Sequence, residues 1–189
     1  MLISETSVRE QIVETASRLF YSQGYHLTGI NQIIEEAGIA KASLYYHFPS
    51  KEDLCVEYLK RRYDIWSLML TACLDGISDP RERIIKAFEC RMDYLCDTNF
   101  GGCSYIRIIS EMPQRGEKIN RQVILQKDKQ RQVFAELVEN LSADMGCSAR
   151  DLVNTIFLLF DGATVQCQVY RSIWPMESAI RALKRLLKY

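Results

Sequence analysis

The chain has 189 residues, 48% of them hydrophobic and 25% charged, and its 24 basic and 24 acidic side chains leave a net charge of zero. This is the composition of an ordinary soluble globular protein that is long enough to bury a sizeable core. No apolar run approaches the roughly 18 to 20 residues that a membrane span needs, and the first five residues lack the basic start and apolar core of a secretory signal.

Apolar residues recur with helical spacing through almost the whole chain, and no stretch alternates as a half-buried strand would. The first helix is predicted from about Thr6 to Ser22. Its apolar face would carry Val8, Ile12, Thr15, Ala16, Leu19 and Phe20.

The segment from Thr28 to Lys51 predicts two short helices joined by a tight turn. Thr28 is a candidate N-cap, because its hydroxyl can accept a hydrogen bond from a backbone N–H two or three residues on. Gly38 stands where a left-handed residue ends the first of these helices, and Pro49 stops the second.

The second of these short helices presents polar and aromatic side chains. Ile39 and Leu44 can pack inward, while the residues that point elsewhere are Lys41, Ser43, Tyr45, Tyr46 and His47. Three consecutive helical residues span roughly 200°, so residues 45–47 cannot all face one core. The pattern is typical of a helix-turn-helix, in which a recognition helix lies in the DNA major groove.

Six further helices are predicted downstream. Ser50 would cap a fourth helix that continues to about Asp75, and Asp79 followed by Pro80 would start a fifth that ends near Thr98. The later helices are expected at about Cys103 to Met112, at Gly116 to Leu141, from the Ser148 cap to Tyr170, and from the Trp174-Pro175 break to Leu187.

Residues 38–54, GIAKASLYYHFPSKEDL, resemble the signature of the tetracycline-repressor (TetR) family of bacterial transcription regulators. The resemblance begins earlier, with Ala16, Leu19 and Phe20 followed by Gly24-Tyr25, and covers roughly residues 8 to 60. The chain departs from the family at Gly29 and Ala40, where a small hydroxyl residue is frequent, so two possible phosphate or base contacts are missing.

The resemblance implies an all-α protein of about nine helices, with a three-helix DNA-binding domain at 1–52 and a ligand-binding and dimerisation domain at 53–189. Such a regulator would be cytoplasmic and would bind a palindromic operator as a homodimer. It would most simply act as a repressor that a small, mostly apolar or aromatic effector releases from DNA. The residues expected at the DNA are Thr28, Lys41, Ser43, Leu44, Tyr45, Tyr46, His47 and Lys51.

The charge of the N-terminal region does not favour DNA, since residues 1–60 carry five basic and eight acidic side chains, a balance of −3. Lys41 and Lys51 flank the recognition helix, so local placement has to substitute for net charge.

The eighth predicted helix is apolar nearly all round, which indicates burial against more than one neighbour. In the resembled family the last two helices pair with their twofold mates as a four-helix interface, although a monomeric core would give the same pattern. The interface residues expected on this basis are Ile156, Phe160, Ala163, Cys167, Ile180, Leu183 and Leu187.

Aromatic residues of the C-terminal region are candidates for an effector cavity, and each is equally well suited to a plain core. They are Tyr63, Trp66, Tyr94, Phe100, Tyr105 and Phe157. Cys103 is either a sensing thiol or a buried packing residue. Asp161 lies in an apolar segment and needs a partner, which would be a hydrogen bond at the dimer interface or a ligand.

The seven cysteines are odd in number, scattered and without a C-x-x-C pair, which favours reduced thiols over a disulfide frame or a zinc site. They are Cys55, Cys73, Cys90, Cys96, Cys103, Cys147 and Cys167. No HExxH, GxSxG or phosphate-loop motif supports an enzyme, and no metal or cofactor is expected. Thiol oxidation in place of a ligand remains an alternative signal.

Overall fold

The computed structural model describes residues 7–112, 117–139, 141 and 148–188. Within those ranges the regular structure consists of nine α-helices and no strand, which confirms the all-α prediction. The helices are α1 (Val8–Ser22), α2 (Ile30–Ala37), α3 (Lys41–His47), α4 (Lys51–Leu74), α5 (Pro80–Asp97), α6 (Ser104–Glu111), α7 (Glu117–Glu139), α8 (Ala149–Tyr170) and α9 (Trp174–Leu186).

The chain divides into two compact units, one comprising residues 1–63 and 104–126 and the other residues 64–103 and 127–189. The division falls inside α4, after Tyr63, and a second crossing lies inside α7. The first unit therefore includes α6 and the first half of α7 in addition to the predicted DNA-binding helices. The functional boundary after residue 52 stays a prediction, because compactness alone does not test it.

Caps and turns start and stop the helices of the first unit. The Ser7 hydroxyl accepts the Glu10 N–H at 3.2 Å and caps α1, and Ser50 accepts the Asp53 N–H at 3.1 Å ahead of α4. Gly38 ends α2 in the left-handed conformation, with φ of 64° and the Ile39 N–H bonded to the Ile34 carbonyl. That geometry favours glycine, because a side chain at positive φ is strained.

Two predictions about this unit are wrong. Thr28 does not cap α2; the cap residue is Gly29, and the fully buried Thr28 hydroxyl instead donates to the Gly24 carbonyl at 2.6 Å. Val8, the first residue of α1, is 43% exposed and is not among the buried residues of that helix.

The second unit packs α9 against both α8 and α5. Three phenylalanines from different helices meet in its core: the Phe160 ring centroid lies 5.2 Å from that of Phe88 and 5.1 Å from that of Phe134. Asp79 and Ser148 cap α5 and α8 as predicted. Trp174 and Pro175 do not separate the last two helices but form the first turn of α9, where proline is tolerated because it needs no N–H partner.

Two further features of the second unit differ from the sequence expectation. Cys73 of α4 and Cys90 of α5 are joined by a disulfide, so in this structure the pair differs from the predicted reduced thiols. Helix α8 is long and apolar enough, by length and composition alone, to cross a membrane, with a mean hydropathy of 1.3. Its buried residues lie in the core with those of α5 and α9, as in the core helix of a helical bundle. The predicted boundary residues Thr6, Pro113 and Gly116, and Cys147, lie outside the described residues.

Candidate DNA-binding surface

Helix α3 is held in the first unit by one apolar side and leaves the opposite side uncovered. Leu44 is fully buried and Phe48, which follows the helix, is 4% exposed, so both anchor α3 to α1 and α2. On the other side Lys41, Ala42, Tyr45 and Tyr46 are exposed, and Tyr46 reaches 84%. We call these four residues the recognition face.

Large aromatic side chains are seldom left in water without a reason, because burying them stabilises the fold. Tyr46 is steadied by its neighbour, since its ring meets the His47 ring edge-on at 5.0 Å between centroids. The recognition face thus presents an ammonium group and two phenol hydroxyls, which can bond to phosphates and base edges in a groove. Ser43 and His47 are half-buried at its margin.

Burial removes two of the residues predicted at the DNA. Thr28 and Leu44 are both fully buried, and the Thr28 hydroxyl is already bonded within the unit. Lys51 is half-buried, with its Nζ 4.3 Å from the centre of the Tyr25 ring, and burial lowers the pKa of its ammonium. Because the Lys51 ammonium already interacts with the Tyr25 ring, it would lose that contact on binding a phosphate. Lys41 is therefore the better candidate for a phosphate contact.

Polar contacts between α1 and α2 fix the position of the turn that carries α3. The Gln11 amide donates to the Ala37 carbonyl at 2.8 Å, beside the Gly38 turn. Arg18 pairs with Glu36 at 2.5 Å, and the Gln23 amide donates to Gln32 at 2.7 Å. Sequence analysis missed these residues, because their spacing along the chain gives no sign that they meet.

Ion pairs neutralise several of the carboxylates of residues 1–60. Glu10 pairs with Arg61, Glu57 with Arg9 and Lys60, and Asp53 with Lys118. The bond from Arg18 holds the pKa of the Glu36 carboxyl below its usual value, and the bond from Lys118 does the same for Asp53. The charge that matters for DNA is therefore the local one on the recognition face, rather than the balance of −3 counted along the chain.

Helix α6 contacts the turn that precedes α2. Arg107 donates to the Tyr21 carbonyl at 2.7 Å, and the Glu111 carboxylate accepts the His26 N–H at 2.9 Å. Gly24, with φ of 94°, lies under that carboxylate, and a Cβ placed there would come within 2.6 Å of it. The glycine is therefore required both by its backbone conformation and by the close approach of Glu111.

The residues predicted to line an effector cavity are distributed over both units, Tyr63 and Tyr105 in the first and the others in the second. The Tyr105 hydroxyl donates to the Leu59 carbonyl at 3.4 Å, and Cys103 is a buried free thiol. Trp66, Phe100 and Phe157 pack against the core of the second unit, and Arg91 lies over the Tyr94 ring. Asp161 finds its partner within its own chain rather than at the expected dimer interface or in a ligand: the Lys127 Nζ lies 2.7 Å from both carboxylate oxygens.

The seven residues predicted at the dimer interface are all buried inside a single chain. They are Ile156, Phe160, Ala163, Cys167, Ile180, Leu183 and Leu187, none more than 9% exposed. Their apolar side chains form the core of the second unit, so they leave no surface for a partner. The free surface of α8 is instead a stripe at helical spacing, comprising Thr155, Leu158, Gly162, Gln166 and Val169. We call it the α8 stripe.

A family model described as "Bacterial regulatory proteins, tetR family" matches residues 12–58, from α1 to the first turns of α4. The chain is also 29% identical over 187 residues to the HTH-type transcriptional regulator LmrA of Bacillus subtilis (strain 168), covering 95% of this chain and 96% of LmrA. A TetR-family transcriptional regulator from Streptomyces coelicolor has the same fold, with a TM-score of 0.82 at 23% identity over 96% of this chain and 88% of that chain. Residues 12–58 therefore belong to the TetR-family DNA-binding domain.

The chain is accordingly a helix-turn-helix transcriptional regulator, and α2 with α3 forms the helix-turn-helix of this domain. The HTH-type transcriptional repressor NemR of Escherichia coli (strain K12) is 25% identical over 194 residues, covering 97% of this chain and 96% of NemR. The crystal structure of reduced NemR matches with a TM-score of 0.82 over 95% of this chain and 97% of that chain, at 23% identity. Among the described residues, no group of three or more His, Cys, Asp or Glu is placed to hold a metal ion.

Proposed function

We propose that this TetR-family regulator is a cytoplasmic homodimeric repressor that occupies a palindromic operator and leaves it when a small, mostly apolar or aromatic effector binds. The observation that carries the proposal is the recognition face of α3, which leaves Tyr46 84% exposed on a helix otherwise anchored in the core. A twofold dimer presents two such helices, and a palindrome offers the same bases to each.

The α8 stripe supports the dimer. Leu158 and Val169 are 69% and 66% exposed, and Gly162 between them is also exposed. Large apolar side chains flanking a small residue allow two helices to approach closely, and a twofold contact requires one self-complementary patch. Tyr170 and Trp174 extend the exposed apolar surface into α9, with their rings 5.1 Å apart.

Release by an effector requires a ligand that prefers one of two conformers. Helices α4 and α7 each include residues of both units, so a rearrangement at one end of either helix can be transmitted to its other end. An effector in the second unit would favour a conformer in which the recognition helices are wrongly spaced for successive major grooves.

Tyr46→Ala and Lys41→Ala should each weaken operator binding by about 1 to 3 kcal/mol, with little change in thermal stability. Both side chains are exposed, so the fold loses almost nothing when they are removed. Lys41 should act mainly on phosphate, and its loss should reduce the slope of log affinity against log salt by roughly one charge. Fluorescence anisotropy at several salt concentrations measures both quantities on a labelled operator duplex.

The matched control for charge is Lys86→Ala, which removes the same group from α5 in the second unit. Tyr46→Phe separates loss of the ring from loss of the hydroxyl. Wild-type affinity in both Tyr46→Ala and Lys41→Ala, or an equal loss in Lys86→Ala, would show that α3 does not bind DNA by its recognition face.

An effector that prefers the non-binding conformer by about 2 to 3 kcal/mol should lower operator affinity roughly 30- to 150-fold. Because coupling is reciprocal, operator DNA must weaken effector binding by the same factor. A thermal-shift screen of hydrophobic aromatic compounds, followed by operator titrations with each hit, measures both sides. Compounds that stabilise the protein without changing its DNA affinity would contradict the induction model, and a reporter gene activated by the protein would contradict repression.

A further inference from the structure

Cys73 and Cys90 are the only cysteines among the described residues that are joined to each other, and the bond links the last turn of α4 to the middle of α5. Their Cα atoms are 6.4 Å apart, within the range that an unforced disulfide spans. Both belong to the second unit. In a DNA-binding protein of the reducing cytosol such a bond forms only when an oxidant is present.

We propose that Cys73 and Cys90 are a reversible thiol–disulfide switch, and that oxidation of this pair by a peroxide lowers the affinity of the protein for its operator. The inference rests on the proposed repressor function, and it adds a second input that acts at a place other than an effector site.

The chemistry balances with a hydroperoxide as the two-electron oxidant. One thiolate attacks a peroxide oxygen, the O–O bond breaks, and the sulfur becomes a sulfenic acid while water or an alcohol leaves. The second thiolate attacks that sulfur, the S–O bond breaks, and water leaves as the S–S bond forms. Two thiols thus lose two electrons and two protons, and a low-molecular-weight dithiol reverses the change by exchange.

Exposure favours Cys73 over the buried free cysteines as the thiol that an oxidant reaches first. Cys73 is half-buried and reaches solvent, whereas Cys55, Cys103 and Cys167 are buried. Burial raises the pKa of the Cys55 and Cys167 thiols, which keeps them protonated and slow to react. Cys96 is exposed, and its charge contributes to the raised pKa of the Cys167 thiol. Oxidation of these two cysteines must therefore be distinguished from oxidation of the Cys73–Cys90 pair.

Helix α4 connects the disulfide to the unit that contains the DNA-binding helices. Residues 64–74 of α4 lie in the second unit and residues 51–63 in the first, within one continuous helix. The disulfide closes a 17-residue separation and ties the end of α4 to α5, which packs on α8 and α9. It therefore restricts the helix whose movement the proposed release mechanism needs, and joins it to the helices assigned to dimerisation.

The state of the protein before oxidation determines whether oxidation must strengthen or weaken operator binding. In a reducing cytosol the pair is reduced, and a repressor in its resting state already occupies the operator. An oxidant that tightened an occupied operator would change nothing, so a switch at this pair regulates only if the oxidised conformer binds more weakly.

The test compares dithiothreitol-reduced protein with protein treated with hydrogen peroxide and freed of excess oxidant. The DNA probe is a duplex selected by the reduced protein from a random pool. We expect the oxidised form to bind at least tenfold more weakly and to melt about 5 to 10 °C higher, because closing a loop of this size restricts the unfolded chain. Dithiothreitol should restore both values, and peptide mapping should find Cys73 linked to Cys90.

Cys73→Ser is the informative variant, since its side chain is half-buried and tolerates serine better than buried Cys90 does. It should bind operator like the reduced wild type and lose both responses to peroxide. Cys96→Ser, which removes the exposed thiol of α5, the helix that carries Cys90, should keep both. Equal affinity of the oxidised and reduced forms, tighter binding of the oxidised form, or a response that survives in Cys73→Ser overturns the switch while leaving the repressor intact. Selection of no sequence by either form overturns the repressor and the switch together.

Discussion

Phe160→Ala is expected to lower the free energy of unfolding by about 3 to 5 kcal/mol. The side chain is 3% exposed and packs edge-on or tilted against two other rings, with centroids 5.2 Å from Phe88 and 5.1 Å from Phe134. Its removal loses that burial and leaves a cavity between three helices that cannot close without moving them. Urea unfolding at a fixed protein concentration, followed by circular dichroism, measures the change.

Leu68→Ala is the matched control for Phe160→Ala. It also trims a large apolar side chain of the second unit, but Leu68 is 72% exposed, so the cost should stay within about 0.5 kcal/mol. If Phe160→Ala lowers the free energy of unfolding by less than about 1 kcal/mol, or if the variant is a folded monomer, Phe160 faces a partner chain and its assignment to the core is mistaken.

Leu158→Arg is expected to separate the proposed dimer into folded monomers. Leu158 is 69% exposed in the single chain and belongs to the α8 stripe, so a twofold contact through the stripe would bury both copies. Forcing an unpaired guanidinium into that contact should cost at least about 3 kcal/mol and raise the dimer dissociation constant roughly 100-fold or more. Sedimentation velocity over a range of concentrations measures it.

The control for Leu158→Arg is Leu68→Arg, which introduces the same charge at an equally exposed leucine of α4. It should remain dimeric. Circular dichroism should show the full helical content in both variants, and operator affinity should fall only in Leu158→Arg, because a monomer holds one half-site. A dimer that survives Leu158→Arg with unchanged stability would place the interface elsewhere than on the α8 stripe.

The contrast between Phe160 and Leu158 shows how far periodicity reaches. Both are apolar, two positions apart on α8, and the sequence around them is apolar on nearly every side. Hydrophobic spacing identifies the helix, but it does not show which side faces α5 and α9 and which side remains open. The interface residues predicted from spacing therefore lie in the core, and only the packing of α8 against α5 and α9 distinguishes them from the exposed α8 stripe.

The helix boundaries show that local sequence signals also have a limit within a single turn. Local signals placed the helix boundaries well, since Gly38, Ser50, Asp79 and Ser148 act on backbone groups within a few residues of themselves. Thr28 failed as a cap because its hydroxyl found the Gly24 carbonyl instead, a choice between two nearby partners that spacing does not decide.

What the sequence by itself determined is the all-α fold and the TetR-type helix-turn-helix domain, because both follow from local periodicity, capping and a continuous motif. The tertiary structure decided which residues are free to act. It buried Thr28 and Leu44 and left Tyr46 in solvent. It also paired Asp161 with Lys127 and brought Cys73 to Cys90. These outcomes depend on contacts between residues up to 34 positions apart, and such contacts are set by the packing of whole helices rather than by neighbouring residues in the chain.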